Sequence, residues 1–354
     1  MKAIDDLHIK EISPLISPEN LKHEFPADNN VYESIIESRK TITNILSRKD
    51  SRLLAIVGPC SIHDPVAGLE YAEKLKKLSE KINDEIVTVM RVYFEKPRTT
   101  IGWKGLIMDP EMDESYDIHK GLHISRKLLL KISKMGLPTG SEMLDPIIPQ
   151  YISDLISWAA IGARTAESQT HRNLASGMSM PVGFKNGTGG NLNLAVNAIS
   201  AARSPSSFIG IDQQGNTSII RTRGNKSCHL ILRGGTSGPN YYEEDVEEAV
   251  RLMENADIDK PSVIIDCSHA NSGKKFTRQK RVFRSVMDQV LHGQKNIAGV
   301  MIESNLFEGN QKYLGSLDSI KYGVSITDSC IGWNETEELL LSAAEDLKEY
   351  RKIK

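Results

Sequence analysis

Eight short apolar runs in this 354-residue chain each end in, or lead straight into, a group able to do chemistry. The first gives Gly58-Pro59-Cys60. The second carries Arg91 and continues into Glu95-Lys96-Pro97-Arg98-Thr99-Thr100. The third ends at Glu142, the fourth at Arg164, the fifth at Lys185 and the sixth at Arg233. The seventh runs into Asp266-Cys267-Ser268-His269, and the eighth ends at Glu303. A single arginine after a strand is most often a solvated or salt-bridged side chain. Eight such placements in register are hard to reach by chance.

By chemistry these residues fall into two sets. Arg91, Lys96, Arg98, Arg164, Lys185 and Arg233 are six cations in a protein of formal net charge -2. Their mutual repulsion would be costly unless anions fill the site. Arginine forks match phosphate and carboxylate oxygens in pairs, and lysine adds a point charge. Six cations therefore suit more than one anionic group, such as two phosphates and a carboxylate. The second set is Cys60, His269, Glu303 and Asp328, the last in SITDSCIGW beyond the eighth run. One thiolate, one imidazole and two carboxylates form a mixed soft and hard donor set. It fits Mn²⁺, Fe²⁺, Co²⁺ or Zn²⁺ better than Mg²⁺ or Ca²⁺. These ligands have no motif spacing, so the ordinary alternatives stay open. Cys60 could be a buried small hydrophobe and His269 a hydrogen-bonded loop residue.

The runs must be the elements that position these groups. They are 53–57, 86–94, 137–144, 158–163, 181–185, 229–233, 262–266 and 299–303. Most are almost continuously apolar, as parallel strands buried on both faces are. Amphipathic stretches such as 68–82 and 241–256 lie between them. Eight alternations of strand and helix predict an α/β protein, a (β/α)₈ TIM barrel, whose chemistry gathers at the C-terminal strand ends. A doubly wound sheet is the rival, though it usually has fewer strands. Two additions are expected. Residues 1–50 form a polar, partly helical arm interrupted by Pro14, Pro18 and Pro26, with a helix over 31–47. Residues 51–354 form the barrel, with an inserted β-hairpin at about 206–222 around Gln214-Gly215-Asn216.

Other features point away from competing classes. The near-neutral charge argues against nucleic acid and anionic membranes as partners. No apolar run reaches the ~18 residues of a membrane span, and the first residues lack the pattern of a secretion signal. Four cysteines are too few for a disulfide scaffold, so a reducing cytoplasm is expected. Gly187-Thr188-Gly189-Gly190-Asn191 lacks the Lys-Ser/Thr of a phosphate-binding P-loop. Asp266, Ser268 and His269 are too close in sequence to read as a catalytic triad. The basic stretch from Gly273 to Arg281 reads as a solvated loop or outer helix face.

Longer strings carry a resemblance. They are GPCSIHDP (58–65), MRVYFEKPRTTIGWKGL (90–106), GARTAESQTHR (162–172), PVGFKNGT (181–188), LRGG (232–235), DCSHANS (266–272), ESNLFEGNQ (303–311) and SITDSCIGW (325–333). Together they resemble the class I 3-deoxy-7-phosphoheptulonate synthases (DAHP synthases), in their long microbial, feedback-regulated subtype, over nearly the whole chain. The resemblance implies a metal-dependent condensation of phosphoenolpyruvate with erythrose 4-phosphate, which opens the shikimate pathway to aromatic amino acids. It implies that Arg164, Lys185 and Arg233 hold the phosphoenolpyruvate phosphate. Arg91 and Lys96 would hold its carboxylate with Glu142 nearby, and Arg98 and Thr99 the aldose phosphate. Cys60, His269, Glu303 and Asp328 would be the metal ligands, and Lys96 or His269 would handle protons. Cys330, two residues from Asp328, is then expected near enough to Cys60 to form an inactivating disulfide once metal is lost.

In this family the arm and the hairpin build a pocket for an aromatic amino-acid inhibitor. The matching positions are Asp6, Pro149, Gln150, Leu174, Ser179, Phe208, Gly210 and Ile220. Glycine at position 210 goes with tyrosine-sensitive relatives and serine with phenylalanine-sensitive ones, because a missing side chain leaves room for the phenol hydroxyl. Asp5-Asp6 leans toward the phenylalanine type; tyrosine is the predicted effector. A homodimer or homotetramer is expected, with the arm packed on a neighbour. Two other readings are the sibling enzyme that makes 3-deoxy-octulosonate 8-phosphate from arabinose 5-phosphate, and a catalytically silent sensor of aromatic amino acids. The Lys96-Pro97-Arg98-Thr99-Thr100 string argues against the first, and the full set of ligands and cations against the second.

Overall fold

The computed structural model describes residues 4–98, 102–313, 315 and 319–353. Two helices come first. Pro18 opens α1 (Pro18–Glu24) instead of interrupting it, and the Ser17 hydroxyl caps the helix by accepting from the Asn20 N–H. Asp28 caps α2 (Asn29–Leu46) by accepting from the Val31 N–H.

The strands follow in chain order as β1 (Leu53–Gly58), β2 (Ile86–Arg91), β3 (Thr139–Glu142), β4 (Trp158–Ile161) and β5 (Val182–Lys185), then β6 (Ser207–Ile211) and β7 (Thr217–Arg221), then β8 (His229–Leu232), β9 (Val263–Asp266) and β10 (Ile297–Glu303). All but β6 and β7 close a parallel barrel in the order β1-β2-β3-β4-β5-β8-β9-β10. Each of the eight predicted apolar runs holds one barrel strand, and every barrel strand is buried along its length. The crossover helices include α3 (Pro65–Ile82), α4 (Ile118–Lys134), α5 (Pro149–Ile152), α6 (Gln169–Gly177), α7 (Leu192–Ala202), α8 (Glu243–Asn255), α9 (Gln279–Leu291) and the C-terminal α10 (Trp333–Ile353).

Side chains along each strand alternate with a period of two. Leu54, Ile56, Val87, Val89, Trp158, Ala160, Ile231, Ile264 and Met301 fill the barrel as one cluster. Their neighbours Ala55, Val57, Met90, Ala159 and Ile265 pack outward in the larger cluster under the helices. The next inward position after Val89 is Arg91, after Ile264 Asp266, and after Met301 Glu303. The period that fills the core thus also aims charge at the barrel mouth.

The N-terminal arm divides in two. Ile42, Ile45 and Leu46 at the end of α2 join the cluster inside the barrel and close its floor. Arg39 of α2 donates to the carbonyls of Ser153 and Ile156, which fixes the helix there. α1 is held against α4 by buried Arg126, which donates to the Phe25 carbonyl and grips the Asp154 carboxylate with two nitrogens at 2.8 Å each. The hairpin is present as expected. β6 and β7 pair antiparallel, and the turn is tied by the Asp212 carboxylate, which accepts from the N–H groups of Gln214 and Asn216. Gly215 takes the left-handed conformation (φ +85°) that this turn requires.

Within the barrel, Trp158 Nε1–H donates to His229 Nε2 at 3.1 Å, and His229 Nδ1 meets the Ser227 carbonyl at 3.1 Å. The ring is therefore the neutral tautomer with its proton on Nδ1. Burial holds it down at about 4. A proton on Nε2 would also face the indole N–H. The unfolded imidazole takes its proton near 6.5, so the unfolded state binds more protons between pH 6.5 and 4, and native stability falls as pH falls through that window. Unfolding free energies from denaturant titration should decline over this range by up to ~3 kcal/mol from this residue. In His229→Gln the decline should be shallower; an unchanged slope would remove His229 from the account.

Candidate active site at the barrel mouth

Cys60, Glu303 and Asp328 bring one sulfur and two carboxylate oxygens within 4.8 Å of one another. The register explains two of them. Gly58 of β1 lies opposite Glu303 of β10, so the turn after Gly58 carries Cys60 to the end of its neighbouring strand. Asp328 arrives on the segment after β10. That segment is fixed by a Ser61–Thr327 hydroxyl pair at 2.7 Å, by Asn310 Nδ2–H donating to the Thr327 carbonyl, and by paired backbone bonds between Gly309 and Cys330. Cys60 and Glu303 are buried, whereas Asp328 faces solvent. Lys96 Nζ donates to the Cys60 sulfur at 3.0 Å and to the Cys60 carbonyl at 3.2 Å. Burial and the nearby Glu303 carboxylate push the Cys60 thiol up to about 11, against the pull of Lys96. Burial favours the neutral amine of Lys96, but Cys60, Glu303 and Asp328 outweigh it and hold the group above the usual lysine range.

Below this cluster lies a buried ion network. Arg91 donates from Nη2 to Glu303 Oε1 at 3.2 Å and from Nε to the Pro59 carbonyl at 3.3 Å. Ser268 donates its hydroxyl to Glu303 Oε2 at 2.7 Å. Burial opposes ionisation of Glu303, yet His269, Arg91 and Lys96 hold its carboxyl down at about 2. Lys185 Nζ stands 3.1 Å from Asp266 Oδ2, and His269 Nδ1 stands 2.9 Å from the same oxygen. These are ion-pair distances without hydrogen-bond alignment. Here too burial alone would raise the carboxyl, but His269 and Lys185 keep Asp266 well below the ordinary carboxylate range.

Over this network opens a cavity of about 510 Å³. Lys96, Arg98, Arg164, Lys185, Arg233 and Lys274 line it, against the carboxylates Glu142 and Asp328. Excess positive charge in a concave site is an anion trap. Glu142 lies against Gly162, where a β-carbon would crowd its Oε1 and push the carboxylate aside. Arg233 is set by its own backbone N–H, which donates to the Asn186 side chain at 2.8 Å. Arg98 stands at the rim, its Nε–H donating to the Trp103 carbonyl at 2.7 Å. Thr99 lies outside the described residues.

Five of the six predicted cations line the cavity, and the sixth, Arg91, sits beneath it. Three of the four predicted metal ligands cluster. His269 lines the same cavity but stands apart from the trio, its Nε2 4.0 Å from Glu303 Oε1, on a backbone at φ +51°. Asp266, too close to His269 in sequence to be expected opposite it, does face the ring. The basic stretch from Gly273 to Arg281, expected as a solvated loop or outer helix face, brings Lys274 and Phe276 to the cavity wall.

The predicted inhibitor positions lie away from this mouth, around the hairpin. Phe208 and Ile220 are cross-strand partners on its half-buried face, two residue pairs from Gly210 on the same face. Gln213 at the tip donates to Gln150 at 3.0 Å and accepts from Lys22 at 2.6 Å, which clamps the hairpin to α5 and α1. Its base is held to α6, the helix of Leu174, by a Ser176–Thr222 hydroxyl pair and by Ser206 donating to Asn173. Pro149 is the buried first residue of α5. Asp6 and Ser179 are exposed, and the contacts of Asp6 are local, with Asp5 and Ile9.

The DAHP synthetase I family model matches residues 24–341. The chain is 52% identical to "Phospho-2-dehydro-3-deoxyheptonate aldolase, Tyr-sensitive" of Escherichia coli K12, over 98% of this chain and 96% of that protein. It is 53% identical to the "Phe-sensitive" protein of the same organism, over 98% of each. Among solved structures, the phospho-2-dehydro-3-deoxyheptonate aldolase of Francisella tularensis SCHU S4 is 48% identical and superposes with a TM-score of 0.93, covering 96% of this chain and 98% of that one.

Cys330 is buried and free, and its thiol donates to the Asp328 carbonyl at 3.6 Å, two residues along the segment that brings Asp328 to Cys60. Air exposure of metal-stripped protein should cost one pair of titratable thiols. In Cys330→Ser the thiol count should not fall on exposure; an equal thiol count before and after exposure of the parent protein would sink the pairing.

Proposed function

Because the chain belongs to the DAHP synthetase I family, we propose that its barrel mouth performs the family's reaction with the residues predicted for it. That reaction condenses phosphoenolpyruvate with D-erythrose 4-phosphate to 3-deoxy-D-arabino-heptulosonate 7-phosphate and phosphate, under feedback from an aromatic amino acid. The observation that carries the assignment of residues is the convergence of six cations on one cavity, set over a thiol and two carboxylates within 4.8 Å.

Lys185, Arg164 and Arg233 hold the phosphoenolpyruvate phosphate, and Arg91 and Lys96 its carboxylate. Arg91 Nη1 is buried and has no partner among the described residues, which suits a group that waits for a substrate oxygen. Arg98, with Thr99, takes the aldose phosphate at the rim. The cysteine, glutamate and aspartate fit a divalent Mn, Fe, Co or Zn ion, with His269 as the fourth ligand beside them. Such an ion supplies Lewis-acid polarisation of the aldehyde carbonyl. The cradle places the enol carbon of phosphoenolpyruvate against that carbonyl carbon, and such placement can lower a barrier by about 7–11 kcal/mol. The new carbon–carbon bond leaves positive charge on the phosphate-bearing carbon. Water adds there, and phosphate departs by carbon–oxygen cleavage. Lys96 and His269 are the groups within reach for the proton transfers.

Tyrosine is the proposed effector. A β-carbon at Gly210 would stand 2.5 Å from Ile220 Cδ1 and 3.4 Å from Phe208 Cε2, so glycine keeps the space between those side chains open. The apolar side chains Ile4, Leu7, Ile9 and Ile12 on the arm, and Ile209 and Ile219 on the outer hairpin face, are exposed. They support a homo-oligomer in which these surfaces meet a neighbour. No helix among the described residues is long and apolar enough to cross a membrane, and a cytoplasmic location is proposed.

Phosphate release from metal-loaded protein supplied with both substrates tests the reading. Chelation should abolish turnover, and added Mn²⁺ or Co²⁺ should restore it. Arabinose 5-phosphate should not replace the tetrose. Turnover that survives exhaustive chelation would discard the metal site. Tyrosine should inhibit better than phenylalanine, and Gly210→Ser should reverse that preference by roughly tenfold or more. If the substitution leaves both inhibition curves in place, the space argument fails.

A further inference from the structure

Tyr93 lies two residues beyond Arg91, so it shares the inward face of the segment that prolongs β2. Its ring is buried in the barrel cluster with Trp158, Ile231, Ile264 and Met301. Its carbonyl accepts from the Ile62 N–H at 3.0 Å, which ties this stretch to the loop that carries Cys60. The Arg91 guanidinium carbon sits 4.0 Å from the centre of the Tyr93 ring. The Tyr93 hydroxyl is buried and has no partner among the described residues.

We infer that Tyr93 is a positioning residue for phosphoenolpyruvate, its ring forming the platform that orients the Arg91 guanidinium toward the substrate carboxylate. The inference rests on the reading that Arg91 binds that carboxylate. Arg91 has two in-plane anchors, the Pro59 carbonyl at Nε and Glu303 at Nη2. Both lie along one edge of the guanidinium plane, so neither prevents the plane from tilting about that edge. A ring face stacked against the plane does, and it attracts the cation through its quadrupole. The free nitrogen, Nη1, is then held in one direction. The ring does this and the hydroxyl does not, so the two parts of the tyrosine should separate by mutation. Arg91 and Tyr93 are both buried, and a cation–ring contact is stronger when it is removed from water.

The test uses the full-length, metal-loaded protein. Phosphoenolpyruvate affinity is measured by calorimetric titration, and KM for each substrate by steady-state rates. Tyr93→Phe should stay within about twofold of the parent. Tyr93→Leu should weaken phosphoenolpyruvate roughly tenfold and leave KM for erythrose 4-phosphate unchanged. Combined with Arg91→Lys, it should add little beyond Arg91→Lys alone, because both changes remove one interaction. Replacement of Tyr93 by pentafluorophenylalanine keeps the shape and reverses the ring quadrupole, so it should match the leucine loss even if Tyr93→Leu proves unstable. Equal losses for both substrates, parental phosphoenolpyruvate affinity in the leucine or fluorinated protein, or losses that multiply in the double variant would overturn the inference. If Arg91→Lys itself leaves phosphoenolpyruvate affinity intact, the role of Arg91 fails and this inference falls with it. If Arg91→Lys weakens binding and Tyr93→Leu does not, only the platform fails.

Discussion

Asp266 and Glu303 stand at the ends of adjacent strands, and each is shared between a cation and the His269 ring. Asp266 Oδ2 lies between Lys185 and His269, and Glu303 receives Arg91 from one side with His269 on the other. Burying so many charges costs several kcal/mol per ion unless each finds a partner. The two carboxylates offset that cost and leave the remaining cations of the mouth uncompensated. The anion trap depends on this partial neutralisation. With less of it the barrel end would be driven apart by like charge, and with more it would have nothing left to offer a phosphate.

The same economy explains the layering of the barrel. Apolar side chains fill it from the floor, where α2 closes it, and on β2, β9 and β10 the ionised groups Arg91, Asp266 and Glu303 stand one inward position beyond Val89, Ile264 and Met301. The strand period decides both layers. A one-residue slip in β2, β9 or β10 would turn Arg91, Asp266 and Glu303 out toward the helices and place Met90, Ile265 and Ile302 at the mouth. Fold and site are therefore specified by one register.

Much of this was legible in the sequence because buried parallel strands announce themselves as unbroken apolar runs, and the polar residue that ends each run is conspicuous. The cations, Cys60 and Glu303 stand out that way, whereas Asp328 lies beyond the eighth run, in SITDSCIGW, and has no such mark. The hairpin showed through its turn residues. Asp266 did not stand out as a partner of His269 because residues three apart in sequence do not ordinarily face each other; the positive φ at His269 folds the ring back toward it. Lys274 looked like a solvated lysine because nothing in a basic run says which member turns inward. Tyr93 was hidden differently. Within IVTVMRVYF it reads as one more strand-forming aromatic, and its contact with Arg91 exists only once the barrel interior is closed around both.

The floor of the barrel has a consequence for how the chain is made. Ile42, Ile45 and Leu46 find their full setting only inside a closed barrel, and β1 completes its pairing only when β10 exists. At ribosomal rates of about 5–20 residues per second, the roughly 240 residues between those strands take on the order of 10–50 s to emerge. For that interval the first strand and the end of α2 hold apolar surface with no permanent partner. The last strand to leave the ribosome thus determines when the first part of the chain stops being vulnerable to aggregation, so a truncation near β10 would damage the N-terminal half of the molecule as surely as it removes Glu303.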